Sequence, residues 1–158
     1  MKVCFIGHRY IENAEAVKKL LKETLEVVIK QGVNTFYFGS KSEFDDLAYE
    51  VVTTLKKSYN NIKRVYVRSA YQFIEKFYEE YLLKSYEETY FPPKIENAGK
   101  SSYVERNFEM IDNSTYCIFY YNENYVPLKR GRYQRNSGTK VAYKYALKKK
   151  KKIINLYK

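Results

Sequence analysis

A short apolar run, a glycine or polar turn, then a stretch with apolar residues three and four apart: this unit recurs along the chain and dictates its fold class. Residues 2–6, KVCFI, form the first run and stop at Gly7. Ala14, Val17, Leu20, Leu21, Leu25, Val28 and Ile29 then line one face of a helix that Gly32 ends. Residues 35–38 are β-branched and aromatic and lead into Gly39-Ser40, after which Phe44, Leu47, Ala48, Val51, Val52 and Leu55 predict a second helix. A third cycle pairs a strand over 62–67 with a helix over 71–83, where Phe73, Phe77 and Tyr81, and Ile74 and Tyr78, recur at steps of four. Residues 90–102 hold Pro92, Pro93 and Gly99 and read as a loop, long for a compact domain. A short helix over 103–111, a strongly apolar strand over 116–121 (YCIFYY), a polar connector over 122–136, a helix opened by Ser137-Gly138-Thr139 and a strand over 153–156 complete the chain.

Strands that are apolar throughout are covered on both faces, and strands separated by helices are joined by right-handed crossovers. The expected fold is therefore α/β: a single Rossmann-like domain, with a mostly parallel sheet of about five strands flanked by helices on both faces. At 158 residues the chain is long enough for one sizeable core and short for two domains, so one domain over residues 1–158 is expected.

Cys4 and Cys117 both lie inside apolar runs, where a reduced thiol behaves as a small hydrophobe. With one histidine and two separated cysteines there is no zinc-ligand spacing, so neither a metal nor a disulfide is expected. No apolar run reaches the roughly 20 residues of a membrane span, and no secretory leader pattern is present, which points to a cytoplasmic protein without a membrane partner. The net charge of +11 favours anionic partners. Part of it is concentrated in the run Lys148 to Lys152 and in KRGRYQR at 129–135, which reads either as a grip on single-stranded nucleic acid or as a solvated loop.

In open α/β sheets ligands sit outside the carboxyl ends of the strands. That rule selects Gly7-His8-Arg9, Gly39-Ser40 with Glu43, Phe44 and Asp45, Arg68-Ser69, Asn122 and Ser137-Gly138-Thr139. Each admits a plain reading beside the functional one. Ser137 to Thr139 open a helix and so either bind a phosphate or simply cap the helix. Glu43 and Asp45 accept ribose hydroxyls or act as a general base, or else only complement the helix dipole. Arg106, beside Asn107 and off the face set by Val104, Phe108 and Ile111, clamps an anion or pairs with a neighbouring glutamate. His8, the only histidine, contacts a ligand or orients a loop.

Taken in order, VCFIGHR, FGSKSEFDDLAYEVV, YVERNFEMIDNSTYCIFYY and SGTKVAYKYALKKKKKIINL resemble the SLOG superfamily, and most closely its YpsA-like branch of small bacterial and phage proteins. The resemblance implies a Rossmannoid domain that binds a nucleotide or nucleotide-derived ligand such as ADP-ribose, NAD or a nucleoside monophosphate. It also implies a homodimer or higher homo-oligomer, and a sensing or sequestering role in stress or defence signalling. By position it assigns ligand contacts to Gly7, His8, Arg9, Gly39, Ser40, Phe44, Asp45, Arg106, Asn107, Ser137, Gly138 and Thr139. Relatives of the LOG phosphoribohydrolase type cleave N-glycosidic bonds and carry a glutamate three residues after the threonine. Here Ala142 stands at that place. Cleavage would have to rely on Asp45 or Glu43, so binding is the first expectation, an N-glycosidase or nucleoside transferase the alternative, and a nucleic-acid-binding module the second alternative. No bound cofactor is expected beyond the ligand itself.

Overall fold

A computed structural model of the chain describes residues 1–39, 42–69, 76–95, 98–125, 128–129, 132–133 and 137–158, with backbone alone at 100, 128, 129, 132 and 133. Strand β1 is Lys2–Gly7, helix α1 Ala14–Lys30, β2 Thr35–Phe38, α2 Glu43–Lys56, β3 Lys63–Val67, α3 Lys76–Leu83 and β4 Glu88–Tyr90. Single 3-10 turns at Pro93–Ile95 and Gly99–Ser101 lead into α4, Ser102–Asp112, and β5, Tyr116–Tyr120. A two-residue antiparallel ladder, β6 Leu128–Lys129 with β7 Arg132–Tyr133, precedes α5, Gly138–Lys148, and β8, Lys152–Asn155.

The main sheet has the order β4-β3-β2-β1-β5-β8, and every neighbouring pair is parallel. This is the expected Rossmann-like α/β architecture. β1 lies at its centre because both its faces are apolar: Val3, Cys4, Phe5 and Ile6 are all buried. Val3 and Phe5 pack with Phe36, Phe38, Ile118 and the α1 and α2 residues Val17, Leu21, Leu25, Phe44 and Val52. Cys4 and Ile6 face the opposite way, into a second core with Phe119 and with Met110, Ile111, Ala142 and Ala146 of α4 and α5. Each fully buried Phe or Leu stabilises the fold by about 1.5–3 kcal/mol. The two thiols are register neighbours, free, and fully buried in the second core.

The sheet has six strands where about five are expected from sequence. The extra one is β4, only three residues long, which is too short for a period to show. The loop expected over 90–102 holds both 3-10 turns and buries Ile95. Of the helix expected over 71–83, residues 71–75 lie outside the described residues. In the remainder Phe77 and Tyr81, part of the expected apolar stripe, are 69% and 61% exposed and only Leu82 is buried. A three-residue edge strand offers α3 too little surface to cover a whole helix face.

Candidate functional site

β1 is the pivot of the topology: from it the chain builds outward through β2, β3 and β4, then returns to add β5 and β8 on the other side. Strand order reverses between β1 and β5, where loops leaving the carboxyl ends diverge and open a crevice.

His8 stands at that point and is 2% exposed. The backbone N–H of Asn122, just past β5, donates to His8 Nε2 at 2.8 Å. Nε2 also lies 3.3 Å from the Asn122 carbonyl oxygen, but the shorter contact is with an amide N–H, which can only donate, so we assign Nε2 as the acceptor and place the ring proton of the neutral imidazole on Nδ1. Among the described residues that buried Nδ1 has no hydrogen-bond partner. Burial pushes the His8 pKa down to about 4, so the ring is neutral at ordinary pH. Tyr125 stacks on the imidazole with centroids 4.1 Å apart, and Tyr121 and Tyr120 approach it at 5.8 and 6.2 Å. The site thus has a fixed donor inside an aromatic wall.

A second group forms where β2 meets α4. Arg106 is 3% exposed; its Nη1 donates to the Gly39 carbonyl oxygen and, at 3.4 Å, to Ser69 Oγ, while Nε donates to Asn107 Oδ1 at 3.1 Å. The side chain lies so close to Gly39 that a Cβ there would be 2.6 Å from Arg106 Cδ, so any larger residue would have to displace the Arg106 side chain. The buried face of α4 is formed by Ser102, Arg106, Asn107, Met110 and Ile111. Of the expected face of Val104, Phe108 and Ile111, Ile111 is buried as expected, while Val104 and Phe108 are only partly buried and Phe108 stacks on Tyr145 of α5, with centroids 3.9 Å apart. Burial lowers the Arg106 pKa, and the negative charge of Asp45 opposes that shift. Asp45, 4% exposed, accepts from Ser42 Oγ at 2.7 Å, while its own N–H donates back to Ser42 Oγ at 3.1 Å, a cap that fixes the start of α2.

The β1–α1 loop is tied to the same helix start. Glu43 N–H donates to the Arg9 carbonyl oxygen at 2.9 Å, and Glu43 Oε2 accepts from Ile11 N–H at 2.8 Å. Glu43 and Arg9 are both exposed. Phe44 is fully buried against Gly7, where a Cβ would come within 2.4 Å of the ring. Ser40 lies outside the described residues, as do Arg130 and Arg135 of the basic connector.

On α5, Ser137 Oγ accepts from Lys140 N–H at 3.0 Å, and Ser137 and Thr139 are 8% and 7% exposed. A Cβ on Gly138 would meet nothing within 4 Å among the described residues, which leave the backbone at the helix start open to approach. Ala142 is packed in the core at 1% exposure. The structure therefore joins Gly39, Arg106 and Asn107 directly, links Asp45 to them through its field, ties Arg9 to Glu43, and sets Ser137 to Thr139 apart on α5.

Residues that strand-end position marked without a role gain one from the geometry. Asn122 fixes the His8 tautomer, and Ser69 reaches Arg106. Tyr125 lies in a polar connector and no sequence signal marks it. Arg68 ends β3 with its N–H bonded to the Tyr90 carbonyl oxygen at 2.8 Å, and its buried Nε has no partner among the described residues. On the α1 side of β5 a pocket of about 330 Å³ is bordered by Glu12, Asn13, Tyr120 and Tyr157, none of them an expected site residue. Among the described residues no group of three His, Cys, Asp or Glu side chains is placed to hold a metal, and no helix is long and apolar enough to cross a membrane.

A sequence profile described as the YspA SLOG family matches residues 8–157. Comparison with curated proteins gives no match. Among solved structures the chain is similar to DNA processing protein A from Helicobacter pylori, described by that protein's single-stranded DNA binding mode, at 19% identity and a TM-score of 0.57. The similarity covers 97% of this chain and 63% of the other, and at that identity it speaks for the fold.

Proposed function

Because the chain belongs to the YspA SLOG family, we propose that it binds a nucleotide or nucleotide-derived ligand, of the ADP-ribose, NAD or nucleoside monophosphate type, at the carboxyl ends of its strands. The observation that supports this reading is the neutral, buried His8, whose Nδ1–H has no partner among the described residues, at the point where strand order reverses. A folded protein rarely leaves such a donor unmet, and a ligand acceptor would satisfy it. Tyr125 would cover the group bound there. A phosphate would lie on the open backbone at Gly138, with the Thr139 hydroxyl and the positive end of α5 beside it. Asp45 would receive ribose hydroxyls, and Arg106 would brace the Gly39 turn while contributing positive charge.

Binding is favoured over cleavage. The position that holds the glutamate in LOG-type relatives is Ala142, fully packed in the core. The alternative activity would be N-glycosidic hydrolysis with Asp45 or Glu43 as the carboxylate. It expects release of free base from nucleotides or NAD, abolished in Asp45→Asn or Glu43→Gln; no base release in the wild type rules it out. A second reading, single-stranded nucleic acid on the same loops, draws on the net charge of +11 and on the ligand named for the fold neighbour. It expects affinity that falls steeply with salt.

Thermal unfolding with AMP, NAD and ADP-ribose tests the main reading. A ligand at about 100 times its Kd adds roughly 2.7 kcal/mol of stability and raises the melting temperature. The same melting temperature with all three would overturn it.

A further inference from the structure

The three arginines that are at least partly buried in the described structure are treated very differently. Arg64 is clamped by Glu87, with bonds of 3.1 and 2.7 Å from Nε and Nη2, and also donates to Thr53 Oγ1 at 3.0 Å. Arg106 is occupied by Gly39, Asn107 and Ser69. Arg68, half-buried, has no ion pair and no side-chain hydrogen bond among the described residues, and its Nε is buried without a partner. A guanidinium carries five donors, and desolvating one of them without an acceptor is costly. Such a group is built to meet an anion that comes from outside the chain.

Its place agrees. The bond from Arg68 N–H to the Tyr90 carbonyl oxygen extends the β3–β4 ladder, so strand alternation still holds there. Val65 and Val67 face the α4 and α5 core, while Tyr66 packs on the α2 side, against Tyr86. Arg68 therefore continues the row of Tyr66, at the carboxyl end of β3. The next residue, Ser69, touches Arg106 and so joins this end to the Gly39 group. β3 lies two strands from β1, roughly 10 Å across the sheet. Gly138 and Thr139 belong to α5, which packs on the other face. One phosphate does not bridge that distance.

We propose that Arg68 is an anion contact of the ligand site and that the ligand carries two separated anionic groups, one at the start of α5 and one at Arg68, as a nucleoside bisphosphate does. This rests on the nucleotide reading above and narrows it. A guanidinium fork pairs with a phosphate bidentately, so the second group adds affinity that a monophosphate cannot gain.

Calorimetric titration of the full chain with AMP and with adenosine 3′,5′-bisphosphate, at one ionic strength, tests this in wild type, Arg68→Gln and Arg68→Lys. The wild type is expected to prefer the bisphosphate by about tenfold or more, the size of a charge-assisted contact. Arg68→Gln should bind AMP as the wild type does and lose the preference, and Arg68→Lys should keep part of it. Since Arg68 makes no side-chain bond among the described residues, both unliganded variants should melt no lower than the wild type. AMP binding without a bisphosphate preference, or a preference that survives in Arg68→Gln, overturns the role of Arg68 and leaves the nucleotide reading standing. A lower melting temperature in Arg68→Gln with equal loss for both ligands makes Arg68 a structural residue instead. If neither nucleotide binds the wild type, the nucleotide reading fails and this one with it.

Discussion

The Asn122 N–H bond to His8 Nε2, 2.8 Å long, closes a contact between residues 114 apart and locks the imidazole as a neutral ring with its proton on Nδ1. A neutral buried histidine has a pH signature. Its pKa is near 6.5 when unfolded and about 4 when folded. The unfolded chain therefore binds the extra proton first, and the contribution of His8 is complete above about pH 6.5 and lost as pH falls toward 4. The loss amounts to about 3 kcal/mol. Urea unfolding followed from neutral pH to about pH 4 should show this decline in the wild type, and His8→Gln should flatten it. Parallel pH curves for the two proteins would mean that His8 titrates alike folded and unfolded.

Gly7→Ala and Gly39→Ala should separate a packing role from a site role. At Gly7 the new methyl meets the rigid Phe44 ring within 2.4 Å, and overpacking of that kind costs about 1–3 kcal/mol. At Gly39 it meets Arg106 Cδ at 2.6 Å and displaces the guanidinium from the turn it braces. Melting curves with and without a bound nucleotide should show Gly7→Ala losing stability while keeping the ligand-induced increase, and Gly39→Ala losing both.

Arg106→Met keeps most of the side-chain volume and removes the charge. The Gly39 carbonyl, Asn107 Oδ1 and Ser69 Oγ each lose a donor. Leaving such groups unmet should lower stability by about 1–3 kcal/mol in chemical unfolding and weaken nucleotide binding at the same time. A variant of unchanged stability and unchanged affinity would mean that the brace is redundant.

The alternation of strands and helices was legible because every central strand is apolar on both faces, as in KVCFI and YCIFYY, and because Gly7 and Gly39 mark strand ends. What periodicity could not show was which stripe of α4 is buried. Arg106 and Asn107 are polar and yet face inward because Gly39 and Ser69 receive Arg106, whose Nε in turn donates to Asn107. Sequence spacing treats such residues as solvent-facing, since it records polarity and not partners. The stripe of Phe77 and Tyr81 misled in the opposite direction: it has helical spacing, but the three-residue β4 leaves it uncovered. The strand-end rule did point to Arg68, Ser69 and Asn122. Ser69 meets Arg106 and Asn122 meets His8 only through contacts between β3 and α4 and between β1 and β5, which no local pattern encodes.

The most direct test of ligand binding at the strand ends is an amide ¹H–¹⁵N NMR titration of the full chain with AMP, NAD and ADP-ribose. The expected result is saturable shifts centred on His8, Gly39, Asn122, Gly138 and Thr139. Absence of any shift with all three ligands, or shifts confined to the lysine run from Lys148 to Lys152 at the opposite end of the sheet, would contradict it.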